Sequence, residues 1–126
     1  MATKINSNIY NKIDSSNFDI VGGSIASNDT SKCQNACSWS KYGNIMIVWI
    51  HGYITLGGYT HFAAYTIPNG WKAGMHTSAP LINEHTINTG TCSTLPNESD
   101  RSIFIGAFDS PINSVYVDGC LTILLA

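Results

Sequence analysis

The stretch IMIVWIHGYIT, residues 45–55, decides the fold class of this 126-residue chain. Its first six residues are all apolar, and β-branched and aromatic residues dominate the stretch, which is typical of a strand buried in a sheet. A Gly-Asn pair at 43–44 precedes it and supplies a two-residue turn of the kind that closes hairpins. Gly52 interrupts it and predicts a bulge or a close approach of another segment. We therefore predict a long central strand with Trp49 in the core.

The rest of the chain alternates short β-branched and aromatic runs with clusters of Gly, Asn, Asp, Ser and Pro. No stretch keeps apolar residues at helical spacing for the roughly 10 to 12 residues that a helix needs. Many short strands of this kind are typical of antiparallel sandwiches and barrels, and we predict an all-β domain of about eight strands. The expected strands are residues 18–21, 36–42, 45–55, 61–67, 78–82, a segment between 85 and 92, 102–108, and a hairpin of 114–117 and 120–125 around Asp118-Gly119.

The first 30 residues are polar and rich in Asn and Ser. We predict that residues 1–30 form an arm or linker from an upstream shaft, and that residues 31–126 form one sandwich domain. A chain of this length buries roughly two thirds of its unfolded surface, so a core is feasible without covalent staples.

Charged residues make up only 11% of the chain, against about 25% in an average globular domain. So low a charge is typical of a surface that is partly covered by other subunits or that faces sugar. Nucleic-acid binding needs clustered basic residues to displace counterions, and it is not expected here. The basic residues are scattered along the chain: Lys4, Lys12, Lys32, Lys41, Lys72 and Arg101.

Residues 43–71 contain no Asp, Glu, Lys or Arg. Their truly apolar part, residues 45–50, is far shorter than the roughly 20 residues of a spanning helix, so we expect no membrane insertion. The N-terminal residues lack the apolar core of a signal peptide, which favours assembly in the cytoplasm.

Four cysteines would allow three disulfide pairings if they were oxidised: Cys33, Cys37, Cys92 and Cys120. Without a signal peptide the reduced state is favoured, with each cysteine acting as a small apolar filler.

The sequence offers no set of residues for nucleophilic catalysis, since it lacks a G-x-S-x-G elbow and its acids fall mostly in turns. The four histidines, at 51, 61, 76 and 85, show no spacing that puts two on one face. If the chain formed a trimer, three copies of one histidine could meet on its axis and bind a metal ion, but we predict no metal site. We also predict no cofactor and no enzymatic activity.

Two features could bind a ligand. Glu98, Asp100 and Arg101 form one charged cluster in a chain that is short of charge, and they are either a solvated loop or a hydrogen-bonding site. Trp71 follows a Pro-Asn-Gly turn, and it could either plug the end of the sandwich or offer a flat platform to a sugar. Trp39 could belong to the core or to a subunit interface.

The segment GNIMIVWIHGYITLGGYTHFAAYTIPNGWKAG, residues 43–74, resembles the C-terminal head domains of phage tail-fibre and baseplate receptor-binding proteins. In that family a strand after a Gly-Asn turn leads to a second strand that ends in a Leu/Ile-Pro-x-Gly-aromatic stretch, here residues 67–71. A short strand follows, and an apolar strand closes the chain. The resemblance covers residues 36–126.

The resemblance implies a jelly-roll sandwich that assembles as a parallel homotrimer at the tail tip of a virion and binds bacterial surface saccharide without catalysis. The run from residue 84 to 101 is longer than a plain hairpin, and we expect the binding loop there. In this family the aromatic at position 71 serves the fold more than the ligand. The candidate ligand-binding residues are His85, Asn88, Glu98, Asp100, Arg101 and Trp71.

Two alternatives stay open on the sequence. A secreted, disulfide-bonded carbohydrate-binding module or lectin would give meaning to the glycosylation triplets that begin at Asn28 and Asn97. A structural trimerisation domain without a ligand would share the fold but not the binding loop.

Overall fold

A computed structural model of the chain describes residues 20–83 and 89–126. All regular structure in these residues is β, as the sequence predicts, and none of them forms a helix that could cross a membrane. The strands are β1 Ile20–Ile25, β2 Cys37–Tyr42, β3 Ile45–Leu56, β4 His61–Thr66, β5 Thr77–Leu81, β6 Gly90–Leu95, β7 Ser99–Gly106 and β8 Ile112–Leu124.

The strands form two four-stranded antiparallel sheets that enclose one core. Sheet A has the order β1-β2-β3-β8, and sheet B has the order β4-β7-β6-β5. Inward side chains of both sheets join a single hydrophobic cluster, so the domain is a β-sandwich, as predicted.

The central strand β3 alternates strictly between the core and the outside. Met46, Val48 and Ile50 are buried, whereas the intervening apolar residues Ile47 and Trp49 point outward. Trp49 is 48% exposed, so its predicted place in the core is wrong. A run that is apolar on both faces predicts a covered strand, but among residues 20–83 and 89–126 only its inner face has a covering layer.

The predicted hairpin at Asp118-Gly119 is also wrong, because both residues lie inside the single 13-residue strand β8. The backbone of Asp118 exchanges two hydrogen bonds with that of Ile82, directly after β5. A Cβ on Gly119 would overlap the carbonyl oxygen of Pro80 and the side chain of Leu81. Glycine is therefore required here for the close approach of β5 to β8, which joins the two sheets, and not for a turn.

Gly52 marks a close approach, which is one of the two interpretations that its position allows. Its φ is 147°, and the side chain of Asn35 occupies the space that a Cβ at residue 52 would fill. The Asn35 Oδ1 accepts a hydrogen bond of 3.1 Å from the backbone N–H of Tyr53. The side chain of Asn35 thereby fixes the loop before β2 against the middle of β3.

The structure describes only residues 20–30 of the predicted arm, and these residues pair with the sandwich. Strand β1 pairs with β2 from Ile20/Tyr42 to Ile25/Cys37. Asn28 then reaches sheet B, where its N–H donates to the Ala64 carbonyl at 2.8 Å. The first 19 residues of the predicted arm lie outside the described residues.

All four cysteines are free thiols, and three of them are buried apolar fillers: Cys33, Cys37 and Cys92. Burial raises the pKa of the Cys37 thiol to about 12, and burial also raises the pKa of Cys92 to about 12. Cys120 does not fill the core as predicted, because it lies on an outward position of β8 and is exposed.

Candidate functional site

The outward side of sheet A carries a contiguous set of large apolar side chains, which we call the apolar face. The strand registers place Ile45 beside Leu124, and Tyr53 beside Tyr116. Each member of the face is between 37% and 48% exposed. The apolar face consists of Tyr42, Ile45, Ile47, Trp49, Tyr53, Tyr116 and Leu124.

The indole N–H of Trp49 has its hydrogen-bond partner on the same side of sheet A. The Trp49 Nε1–H donates to Asp118 Oδ1 at 2.7 Å, and the ring of His51 stacks on that of Trp49 at a centroid distance of 4.1 Å. Tyr53 and Tyr116 meet edge to face at 5.4 Å. Among the outward positions of β2, β3 and β8 only Asp118 carries a formal charge. The face is therefore well ordered and nearly uncharged, as subunit interfaces are.

The size of the apolar face also points to a partner. At roughly 200 Å² for each large side chain, its seven members expose on the order of 500 Å². Soluble monomers rarely leave contiguous apolar patches larger than a few hundred Å² uncovered. A standard interface takes about 800 Å² from each partner, so this face could form most of one.

The outward side of sheet B, which we call the polar face, has the opposite character. Its outward positions hold small or hydroxylated side chains: Ala63, Ser78, Pro80, Thr91, Ser93 and Ser102. The one large apolar residue there, Phe104, is only 7% exposed, and the edge of the His61 ring lies against it with centroids 5.5 Å apart.

A groove lies where the β6–β7 turn meets the segment before β5, and we call it the Asn97 groove. Its volume is about 330 Å³, and it is lined by His76, Leu95, Pro96, Asn97 and Glu98. The Glu98 Oε2 lies 3.2 Å from His61 Nε2, and both side chains are about half exposed. This contact orients the carboxylate at the edge of the groove. Pairing between β6 and β7 shifts after Thr94, which shapes the turn.

The structure places one of the predicted ligand-binding residues, Glu98, in this groove. Asp100 and Arg101 instead hold the β4–β5 loop: the Asp100 carbonyl accepts from Ala73 N–H at 2.7 Å, and Arg101 Nη2 donates to the Ile67 carbonyl at 2.6 Å. His85 and Asn88 lie outside the described residues.

Trp71 is half-buried against the core, and its ring meets that of Trp39 edge to face at 5.4 Å. The Lys41 ammonium lies 4.8 Å from the centre of the Trp71 ring. These contacts match the interpretation of Trp71 as a plug for the sandwich, and they give Trp39 the same structural role.

Sequence reasoning missed the apolar face and named only Glu98 of the five residues that line the groove. The absence of charge from residues 43–71 was a signal for the part of the face on β3, which comprises Ile45, Ile47, Trp49 and Tyr53. Asn97 lies in the run from 84 to 101 where a binding loop was expected. His76 carried no signal, since it stands 21 positions from Asn97 and meets it only through the pairing of β5 with β6.

The described residues contain no group of three or more His, Cys, Asp or Glu side chains that could hold a metal ion. No family model matches the chain, and no curated protein matches it.

Proposed function

We propose that this chain is the receptor-binding tip of a phage tail fibre, which attaches the virion to saccharide on the bacterial surface without catalysis. The observation that carries the proposal is the contrast between the two outer faces of one rigid sandwich. The apolar face suits association with copies of the chain, and the polar face and its groove stay available for a ligand.

The assembly is a homotrimer in which the apolar face of each copy packs against its neighbours. Its aromatic and aliphatic residues, depleted of charge, have the composition of an interface core. The sandwich is of jelly-roll type. In support, β3 pairs with β8 in sheet A, and β4 pairs with β7 in sheet B. The segments β3–β4 and β7–β8 are thus the two arms of one long hairpin, and both arms pass from one sheet to the other.

Multivalency makes such a protein effective. A single saccharide buries little surface and pays the ordering costs of binding, so each site is weak. Three sites on each tip and several tips on each particle raise the effective affinity by roughly 10² to 10⁴ without new contacts. The tip is assembled in the host cytoplasm, and the four free thiols support that location.

Two measurements on the whole chain test the proposal. Light scattering is expected to give a mass three times that of the 13.6 kDa chain. A glycan array that includes host wall polysaccharides is expected to give binding to at least one saccharide, with no shortening of the polysaccharide on incubation. A stable monomer would contradict the trimer, and a flat array would contradict receptor binding.

A second candidate, a secreted carbohydrate-binding module, is favoured by one observation: Trp49, Tyr53 and Tyr116 form an aromatic strip on a sheet face. The aliphatic residues Ile45, Ile47 and Leu124 on the same face suit a protein partner better than a sugar. The amide of Asn28, which a glycan would modify in a secreted protein, donates to the Ala63 carbonyl at 3.1 Å. Binding of saccharide by a monomer, with loss on Trp49→Ala, would favour this candidate.

A further inference from the structure

We infer that the Asn97 groove is the saccharide site of the proposed adhesin, and that it selects uncharged saccharides over anionic ones. The inference rests on the proposed function and adds the place of the site and the class of its ligand. It differs from the sequence-based expectation of a broad site over residues 84–101, since it assigns binding to the β6–β7 turn and to His76.

The groove combines the two kinds of surface that a sugar ring needs. The side chains of Leu95 and Pro96 are half-buried and offer an apolar wall for the C–H groups of the ring. The amide of Asn97 and the imidazole of His76 are exposed. Each can donate a hydrogen bond to a sugar hydroxyl and accept one from it. Its volume of about 330 Å³ lies at the small end of ligand pockets, which suits a short saccharide.

The charge of the groove decides the class of saccharide. Among the described residues that line the groove, only Glu98 carries a formal charge, and its carboxylate contacts His61 at 3.2 Å. Neighbouring hydroxyls of a neutral sugar can donate to this carboxylate in charge-assisted hydrogen bonds. A phosphate or a uronic acid would instead meet a like charge, and the described lining residues include no lysine or arginine to offset it. Arg101, the nearest candidate in sequence, donates to the Ile67 carbonyl.

The position of the groove agrees with the proposed assembly. Its lining residues lie at the end of β6, in the turn between β6 and β7, and just before β5, and these three strands all belong to sheet B. The apolar face belongs to sheet A on the other side of the core. Association through the apolar face therefore leaves three grooves open, one on each copy.

The experiment uses the whole chain, immobilised, and a panel of surface glycans in matched pairs. Each neutral hexose or deoxyhexose oligosaccharide is paired with its phosphorylated or uronic-acid counterpart. Wild type is expected to bind at least one neutral member and to bind its anionic counterpart at least tenfold more weakly. Asn97→Ala is expected to weaken neutral binding about tenfold, and Asn69→Ala, an exposed asparagine outside the groove, is expected to leave it unchanged.

Glu98→Gln supplies the readout that a structural role would not move. It keeps the size of the side chain and removes the charge, so it is expected to reduce the preference for the neutral partner of each pair several-fold. Thermal denaturation checks that both groove variants fold like wild type.

The outcomes separate the inference from the function on which it rests. Saccharide binding that is unchanged in Asn97→Ala and Glu98→Gln, or a preference of wild type for the anionic partner, would overturn the groove and leave the adhesin standing. Failure of the wild-type protein to bind any saccharide would overturn the proposed function and the groove together.

Discussion

The two outer faces of this sandwich come from sheets of equal size, yet they differ in nearly every property that governs association. Sheet A exposes seven large apolar side chains by 37% to 48% each. Sheet B presents mostly small and hydroxylated residues, and its one large apolar residue, Phe104, is 7% exposed. Both sheets supply the same kind of inward residue to the shared core.

The difference teaches that folding and association draw on different halves of the same strands. Alternation along a strand puts every second residue into the core, and that half decides whether the domain folds. The other half is free to specify partners, and in sheet A it includes seven large apolar side chains. A strand such as β3 therefore supplies residues both to the core and to an apolar outer face. On β7 the outward Phe104 is covered and its neighbours are polar, so this strand contributes mainly to the core.

The largest effect is expected from a charge on the apolar face. Ile47→Asp would bury an uncompensated carboxylate in the proposed interface, at a cost of about 3 to 5 kcal/mol. Light scattering should then give the mass of a single 13.6 kDa chain. The matched change on the polar face, Ser93→Asp, should leave the assembled mass as it is. Dissociation by both variants, or by neither, would erase the functional contrast between the faces.

A smaller effect is expected when the inner and outer positions of sheet B are compared. Ile105 is fully buried on β7, and Ile105→Ala should lower the free energy of unfolding by about 3 kcal/mol through lost burial and a cavity. Ser93, half-exposed on β6, can lose its hydroxyl at a cost of roughly 0.5 kcal/mol or less. Denaturant titration of both variants measures this, and equal losses would mean that the polar face is not solvent-facing.

Alkaline pH should destabilise the fold through two buried thiols, Cys37 and Cys92. Because burial raises the pKa of Cys37 and Cys92 to about 12, these thiols stay neutral in the folded state while the unfolded chain ionises above its ordinary pKa. The contribution of these thiols to the free energy of unfolding is complete below their pKa in the unfolded chain. It is lost as the pH rises toward their pKa in the folded protein. At pH 10 the loss is about 1 kcal/mol for each thiol.

Cys92→Ala should remove about half of this pH dependence when unfolding is followed between pH 8 and pH 10. Ser93→Ala, which removes a half-exposed hydroxyl and no thiol, should leave it unchanged. A pH dependence of wild-type size in Cys92→Ala would contradict the assignment to that thiol.

The smallest effect is expected at the hydrogen bond inside the apolar face. Asp118→Ala removes the acceptor of the Trp49 indole N–H and should lower the free energy of unfolding by about 1 kcal/mol. Asp118→Asn keeps an acceptor and should cost roughly half as much or less. Denaturation followed by tryptophan fluorescence gives both values, and a larger loss for Asn than for Ala would contradict this role of the bond.

Much of the fold could be predicted from the sequence, because alternation and turn residues act locally. The Gly-Asn turn at 43–44, the strand that follows it and the strand from His61 all lie where the pattern puts them. The strand from His61 pairs with β7 in the other sheet, however, and not with β3 as predicted. The prediction of a turn at Asp118-Gly119 was wrong because this dipeptide has another structural role. Strand β5 approaches residue 119 so closely that only glycine has room there. Local chemistry cannot tell a turn from a close approach.

The candidate site was harder to predict for the same reason. Trp49 was assigned to the core because an apolar strand gives no sign of which face lacks a cover. Arg101 and Trp71 looked like ligand residues, but their partners, the Ile67 carbonyl and the Trp39 ring, are distant in sequence. Glu98 was identified from its charge alone. The groove around it could not be predicted, because it forms only when β6 pairs with its neighbouring strands.

The contacts of Asn28 and Ile82 affect how the edge strands of the two sheets can pair with other chains. The Asn28 N–H and Nδ2 bind the carbonyls of Ala64 and Ala63 on the outermost strand of sheet B, and Ile82 occupies the free side of β8 in sheet A. Unpaired strand edges are templates on which foreign chains add as extra strands, the first step toward amyloid and domain swapping. At these points the backbones of β4 and β8 are already paired, so a foreign chain cannot extend an unbroken ladder along either of these two strands.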